Sequence, residues 1–370
     1  MSKTLKIAII GSRGYPYIYS GYETLVKEIS ERLITKGFSV RVYCHSSLFI
    51  KKPKFINGIE LVYTPSIETK FLSQIVNSFF SFVHVCFKKV DVVLVLNSAN
   101  GPFGLLTKIF GIKTCINVDG LEWLRPKWKG FGSLYFKVAS KLSTIMFDQV
   151  ITDSYQMKKI YLKNFKKNSI VIAYGPTIKK IKQKKELDRY NLKTNEFYLI
   201  VGRLVPDNNA VNIIQGFIKS KSEKKLVIVG DVPYSDKYSA KAKSYSSNKI
   251  IFTGYIKSEK ILSQLYNNCY GYIHGHQFGG TNPTMINSLE INCSVLALDT
   301  KFTKEMLKNK CSIFFENNYD SISESIKIFE RENKKLKQKN KNYNLPNIYK
   351  WDYITDSYIK LIEDLKREIS

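Results

Sequence analysis

At 370 residues and 44% apolar side chains, the chain is too long for one ordinary domain and too apolar to be disordered, so two packed cores are expected. Its 58 basic and 31 acidic residues give a formal charge of +27, which points to nucleic acid, an anionic membrane surface or a phosphorylated substrate, or expresses a general preference for Lys, Ile and Asn. Six scattered cysteines with no close CxxC pair argue for reduced, buried thiols in a cytosolic protein and against a disulfide scaffold or zinc site.

The first strand is "KIAII" (6–10), too short for a signal peptide and without a cleavage site. The loop "GSRGYPYIYSGYETLVKEI" follows it. Gly11, Gly14 and Gly21 let the backbone approach a ligand, Arg13 adds a cation, and a helix over 22–36 would aim its first N–H groups at an anion. The dinucleotide pattern G-x-G-x-x-G is absent. An ordinary strand-to-helix loop accounts for the same residues.

Further strands are "SVRVYC" (39–44), "IELVY" (59–63), "DVVLVL" (91–96), "KTCINV" (113–118) and "QVIT" (149–152). They are rich in Val and Ile with little alternation, as strands covered on both faces should be. Helical patterns occupy 68–88 and 131–147. The first holds Gln, Asn, His and several Ser, which makes it amphipathic and not a membrane span. The strand end "NVDGLEWLRPKW" places Asp119 and Glu122 beside Trp123 and Trp128. Carboxylates with aromatic neighbours suit sugar hydroxyls and ring faces, though buried tryptophans beside surface charges would read the same way.

"AYGPTIKKIKQKK" joins a Gly-Pro pair to a lysine cluster and reads as a linker. Strand and helix then alternate again through "FYLIVG" (197–202), "KLVIVG" (225–230), "KIIFTG" (249–254), "YGYIHG" (270–275), "SVLALD" (294–299) and "SIFFE" (312–316). Two doubly wound parallel sheets follow from this pattern. In such sheets ligands bind beyond the carboxyl ends of the strands.

Two loops of the second half fit that place. Gly202 and Arg203 end one strand, and Asp207, Asn208 or Asn209 can cap the next helix. In "YIHGHQFGGTNPTMINSLE", Gly280, Thr281 and Asn282 precede a helix that Pro283 can begin, with Asn282 as its cap. His274 and His276 share one strand face, but no nearby carboxylate completes a metal set, and no metal is expected. Three anion-friendly loops suggest one phosphate ligand in a cleft between the halves. The run "KKLKQKNK" (334–341) reads as a solvated face or linker. The last segment, 351–369, is an amphipathic helix that must dock. A nucleic-acid partner would rest on charge alone, because no aromatic-basic recognition motif is present.

Taken together, "IIGSRGYPYIYSGYETLVKEISERL", "NVDGLEWLRPKW", "ITDSYQMKKIYL", "AYGPT", "FYLIVGRLVPDNNAVNIIQGF" and "YIHGHQFGGTNPT" resemble the retaining GT-B glycosyltransferases of family 4, and within them the rhamnosyltransferase-like branch of bacterial polysaccharide synthesis. The resemblance implies two Rossmann-like domains facing a central cleft: an acceptor domain over 1–175, a nucleotide-sugar donor domain over 176–348, and a helix over 349–370 crossing back to the first. It implies Arg203 and Asp119 as catalytic residues. Arg13, Gly14, Gly21, Gly202, His276, Gly280, Thr281, Asn282 and Asn287 would contact the donor, and Glu122 and Trp123 the acceptor. The donor would be a dTDP- or UDP-linked sugar, L-rhamnose foremost, with no further cofactor. The acceptor would be a lipid-linked saccharide at the anionic inner face of the cytoplasmic membrane, where the protein would be peripheral.

Two departures from the pattern stand out. A lysine usually follows the "GRL" arginine, where this chain has Asp207, Asn208 and Asn209. Of two glutamates eight residues apart, Gly279 holds the first place and Asn287 the second. They support an alternative: a weakened or inactive sugar-nucleotide-binding homologue acting as a scaffold.

Overall fold

The computed structural model describes residues 4–16, 21–67, 69, 72–118, 120–125, 130–181, 183–232 and 236–367. The chain divides into two compact units, one formed by Met1–Tyr174 with Lys350–Ser370, the other by Gly175–Tyr349.

The first unit runs β1 (Lys6–Ile10), α1 (Gly21–Thr35), β2 (Ser39–His45), β3 (Phe55–Ile56), β4 (Ile59–Thr64), α2 (Leu72–Cys86), β5 (Val92–Leu96), α3 (Gly104–Ile109), β6 (Lys113–Asn117), α4 (Phe131–Met146), β7 (Gln149–Thr152), α5 (Tyr155–Phe165) and β8 (Ile170–Val171). The strands form one sheet in the order β3-β4-β2-β1-β5-β6-β7-β8. All pairings are parallel except β3 with β4, a short antiparallel edge. Every residue of β5 is buried, as its "VVLVL" run requires of a strand covered on both faces.

The second unit runs β9 (Phe197–Val201), α6 (Ala210–Ser220), β10 (Lys225–Val229), α7 (Lys237–Lys243), β11 (Ile250–Gly254), α8 (Glu259–Asn268), β12 (Gly271–His274), α9 (Pro283–Glu290), β13 (Val295–Leu298), α10 (Lys301–Met306), β14 (Ile313–Phe315) and α11 (Tyr319–Lys339). Its sheet is wholly parallel, in the order β11-β10-β9-β12-β13-β14. Numbered within the unit this is 3-2-1-4-5-6, the doubly wound order of dinucleotide-binding folds. Tyr198, Ile228, Ile273, Leu296 and Phe329 are among its core residues.

A final helix, α12 (Trp351–Arg367), belongs to the first unit. It buries Trp351, Ile354, Tyr358, Leu361, Ile362 and Leu365. The Tyr358 hydroxyl accepts from Asn117 Nδ2 at 3.2 Å. Arg32 pairs with Asp352 at 2.8 Å and Lys366 with Asp91 at 2.9 Å. Asp352 is 91% exposed, so its pair is worth about 0–1 kcal/mol and the buried face holds the helix. The run 334–341 is mostly the end of α11, with Leu336 and Asn340 buried. Four cysteines are buried, but Cys86 is half-buried and Cys311 exposed, so the expectation of buried thiols fails at those two.

Candidate functional site

A doubly wound sheet opens a crevice where the strand order reverses, because the helices leave adjacent strands toward opposite faces. In the second unit this point lies between β9 and β12, which pair through Tyr198 with Gly271 and Leu199 with Tyr272. The loop after β9 carries Gly202 and Arg203. The loop after β12 carries His276 and Gly280–Asn282. The two are stitched together: Asn209 Nδ2 donates to the Gly275 carbonyl at 2.8 Å, and the Gln277 amide to the Asp207 carbonyl at 3.0 Å. Gly202, Arg203, Asn208, Gly275 and His276 line one crevice.

The glycines are required by space. A Cβ on Gly275 would lie 2.5 Å from the Asn208 carbonyl oxygen and 2.6 Å from Ile213 Cδ1. A Cβ on Gly202 would lie 3.1 Å from the His276 ring. The Arg203 side chain is exposed and makes no hydrogen bond or ion pair among the described residues. Its carbonyl is held by Asn208 Nδ2 at 2.7 Å. The capping role offered to Asp207, Asn208 or Asn209 is not taken up by the Asn209 side chain. Asn209 occupies the N-cap position of α6 in a left-handed conformation, but its side chain makes no cap bond and is spent on Gly275.

Asn282 caps α9 as predicted, with Pro283 in the first turn, and its Oδ1 accepts from the Thr284 amide at 3.0 Å. The same oxygen accepts from Thr284 Oγ1 at 2.7 Å. That hydroxyl has one proton, so Tyr272, 2.8 Å away, must donate to Thr284. Tyr272 must then accept from His274 Nδ1 at 3.1 Å. One directional chain, His274 to Tyr272 to Thr284 to Asn282, thus fixes the start of α9 and assigns the Nδ1–H tautomer to His274. His274 is fully buried, and burial lowers its pKa to about 3, so the ring is neutral. The half-buried His276 ring stacks on it at 4.6 Å and 16°. Gly280 and Thr281 are buried beside this loop. Among the described residues no group of three His, Cys, Asp or Glu side chains could hold a metal ion.

Asn287, on α9, does not face open space. It is buried, its Oδ1 accepts from the Thr177 amide at 2.8 Å, and its Nδ2 donates to Thr177 Oγ1 at 3.0 Å. It anchors the first residues of the second unit.

The first unit has its own switch point, between β1 and β5. Gly11 needs its positive φ of 101°, and a Cβ there would lie 2.2 Å from the Leu96 carbonyl oxygen. Gly14 has φ 119° and packs on Cys44, whose Sγ a Cβ would meet at 2.7 Å. Gly21 opens α1. Two turns of chain were not foreseen here. Buried Glu23, in the first turn of α1, accepts from the Arg13 amide at 2.9 Å, so a carboxylate already stands where the sequence suggested an open anion site. The loop after β5 brings Asn97 and Asn100 to the switch point, with Asn100 Nδ2 donating to Leu96 O at 2.6 Å. Only the strand order could have singled them out.

Glu122 pairs with Arg125 at 3.1 Å. Trp123 packs edge-on against Tyr161 and Phe165 of α5, at 6.1 and 5.8 Å. Both side chains therefore have partners inside the first unit. Asp119 lies outside the described residues.

Two doubly wound units with these switch points define the GT-B glycosyltransferase fold. Residues 182–344, a little under half of the chain, match the family model described as "Glycosyl transferases group 1". Residues 4–177 match a domain of unknown function, DUF1972. The chain is 25% identical over 221 residues to the N-acetylgalactosamine-N,N'-diacetylbacillosaminyl-diphospho-undecaprenol 4-alpha-N-acetylgalactosaminyltransferase of Campylobacter jejuni, a match covering 57% of this chain and 58% of that relative, less than two thirds of its length. Among solved structures, sucrose-phosphate synthase from Thermosynechococcus elongatus superimposes with TM-score 0.80 at 13% identity, covering 98% of this chain and 99% of that one. Anabaena Alr3699/HepE in complex with UDP and glucose gives TM-score 0.76 at 13% identity, covering 97% and 100%. At these identities the likeness establishes the fold.

Proposed function

We propose that the chain is a retaining glycosyltransferase that moves a hexose from a nucleotide sugar to a lipid-linked saccharide in surface polysaccharide synthesis, with dTDP-L-rhamnose as the first donor to test. The observation that carries this reading is the crevice at the β9–β12 switch point, lined by Gly202, Gly275, His276 and an Arg203 whose side chain has no partner among the described residues, in a unit that matches the group 1 glycosyltransferase model. As the glycosidic bond breaks, negative charge grows on the departing diphosphate. Arg203 supplies a fork of N–H donors to it, and the α9 N-terminus supplies backbone N–H groups and a positive dipole end. Donors held rigidly before the reaction stabilise that charge without reorganisation. The relay from His274 to Asn282 provides the rigidity. The second unit is the donor domain and the first the acceptor domain, with cations and dipoles in place of a metal or cofactor. The Campylobacter relative carries undecaprenol in its name, which supports a lipid-linked acceptor, and the basic excess supports an anionic membrane as partner.

The test is transfer from a panel of dTDP- and UDP-sugars to a polyprenyl-diphosphate saccharide, with product anomer read by NMR. No transfer or hydrolysis of any donor would favour the second reading, a non-catalytic sugar-nucleotide-binding homologue. That reading is favoured by Asn287, whose side chain is engaged by Thr177, and by Gly279, which has no side chain to offer the donor.

A further inference from the structure

Helix α4 is built largely inside out, and helix α2 is so in part. A surface helix ordinarily turns large apolar residues inward and polar residues to water. Apart from Phe136, α4 buries Ala139, Ser140, Ser143 and Thr144. It exposes Phe131, Leu134, Val138 and Ile145, spaced so that they form one stripe along the outer side. Helix α2 buries Ser73, Asn77, Ser78 and Ser81 alongside Phe82 and Val85, and still exposes Phe79 and Phe80. Helix α3 packs against both. It adds exposed Leu105 and Ile109, and Phe110 at its end lies 5.4 Å from the ring of Phe87, which follows α2. Lys108 Nζ donates to the Ile145 carbonyl at 3.1 Å and ties α3 to the end of α4. These residues therefore form one continuous face of the first unit. Phe131 is 92% exposed, Phe87 72% and Ile109 70%, far more than scattered surface apolar residues require.

The charges on this face name its occupant. None of the three helices contains an Asp or Glu. Exposed Lys108, Lys137 and Lys141 rise from among the apolar side chains, and exposed Lys88 and Lys89 flank them. A second copy docked on the same face would set lysine against lysine. A lipid surface with anionic headgroups satisfies both features, because its acyl boundary takes the rings while phosphates meet the ammonium groups of snorkelling lysines. Among the described residues no helix is long and apolar enough to cross a membrane.

We propose that the α2–α3–α4 face of the first unit is the surface by which this protein lies on an anionic bilayer. It gives a place to the membrane partner suggested above, and its test does not depend on sugar transfer.

The full chain is floated with vesicles of phosphatidylcholine, with and without phosphatidylglycerol, at moderate salt. Binding is expected only with phosphatidylglycerol present. At about fivefold per basic residue near the surface, Lys108→Gln/Lys137→Gln/Lys141→Gln should weaken partitioning about a hundredfold. Ile109→Ser/Phe131→Ser should weaken it at least tenfold without changing the melting temperature, since both side chains face water in the free protein. Should the second variant fail to fold, the lysine variant decides. Equal flotation of wild type and variants, or none with either vesicle, overturns the proposal. So does a dimer, seen by light scattering, that Ile109→Ser dissolves while vesicles bind nothing. Donor hydrolysis in vesicle-free solution should be the same in all variants. A protein that floats but turns over no donor would refute the transferase reading and leave this one standing.

Discussion

Replacing Asn287 with alanine removes one side chain and two anchoring bonds. Its Oδ1 accepts from the Thr177 amide at 2.8 Å, and its Nδ2 donates to Thr177 Oγ1 at 3.0 Å. Thr177 is half-buried. Its hydroxyl can turn to water, but its amide, fixed by the backbone, is left without a partner. An orphaned donor costs about 1–3 kcal/mol, and partial water access places this one in the lower half of that range. Asn287→Asp is the matched control: it keeps an oxygen facing the amide, and Thr177 can reverse its hydroxyl to donate. Native-state hydrogen exchange reads the effect at the bond itself. The Thr177 amide should lose about five- to thirtyfold protection in the alanine variant, with a smaller loss in the aspartate variant. Protection unchanged within twofold in Asn287→Ala would refute the anchoring role and return Asn287 to the donor-binding residues.

Other outcomes follow from the same site. Arg203→Ala should lower turnover about a hundred- to a thousandfold, the cost of losing one preorganised donor to a developing anion, and near-normal steady-state turnover would remove Arg203 from the mechanism. His274 has a folded pKa of about 3, below the ordinary value near 6.5. Above pH 6.5 both folded and unfolded rings are neutral. As pH falls from 6.5 toward 3 the unfolded chain binds a proton that the fold refuses, so stability drops by up to about 1.4 kcal/mol per pH unit. Subtracting the urea-melt pH profile of His274→Gln from that of wild type should show this slope, and a flat difference would be incompatible with a buried neutral ring. Gly275→Ala forces a Cβ to within 2.5 Å of a carbonyl oxygen that cannot yield; a lowered melting temperature and lost donor-induced thermal shift are expected, by about 1–3 kcal/mol of overpacking.

Much of the fold is legible in the sequence. "KIAII" and "QVIT" are strands to the residue, because buried parallel strands announce themselves as unbroken Val/Ile runs. β3 and β8 are too short to leave a pattern. The site is harder. Asn282 was readable as a cap because Pro283 marks the helix start, a purely local signal. Glu23 and Asn209 were not, since a Glu two residues into a helix reads as ordinary first-turn acidity and an Asn before a helix reads as its cap. Their actual partners, Arg13 and Gly275, are set by how loops from neighbouring strands meet, and tertiary geometry of that kind leaves no mark on spacing. The exposed apolar faces of α2 and α4 are less visible. The sequence marks 68–88 as amphipathic and 131–147 only as helical, and neither pattern says which side is turned to water.

Helix α12 makes the first unit discontinuous along the chain. Its cover for Asn117 and Asp91 comes from residues translated only after all of Gly175–Tyr349. The first unit therefore cannot cover its apolar groove until the last residues of the chain are free to fold back, however early its strands emerge. A released chain truncated after residue 349 would keep every residue of the second unit and leave the first with bare apolar surface, a substrate for chaperones.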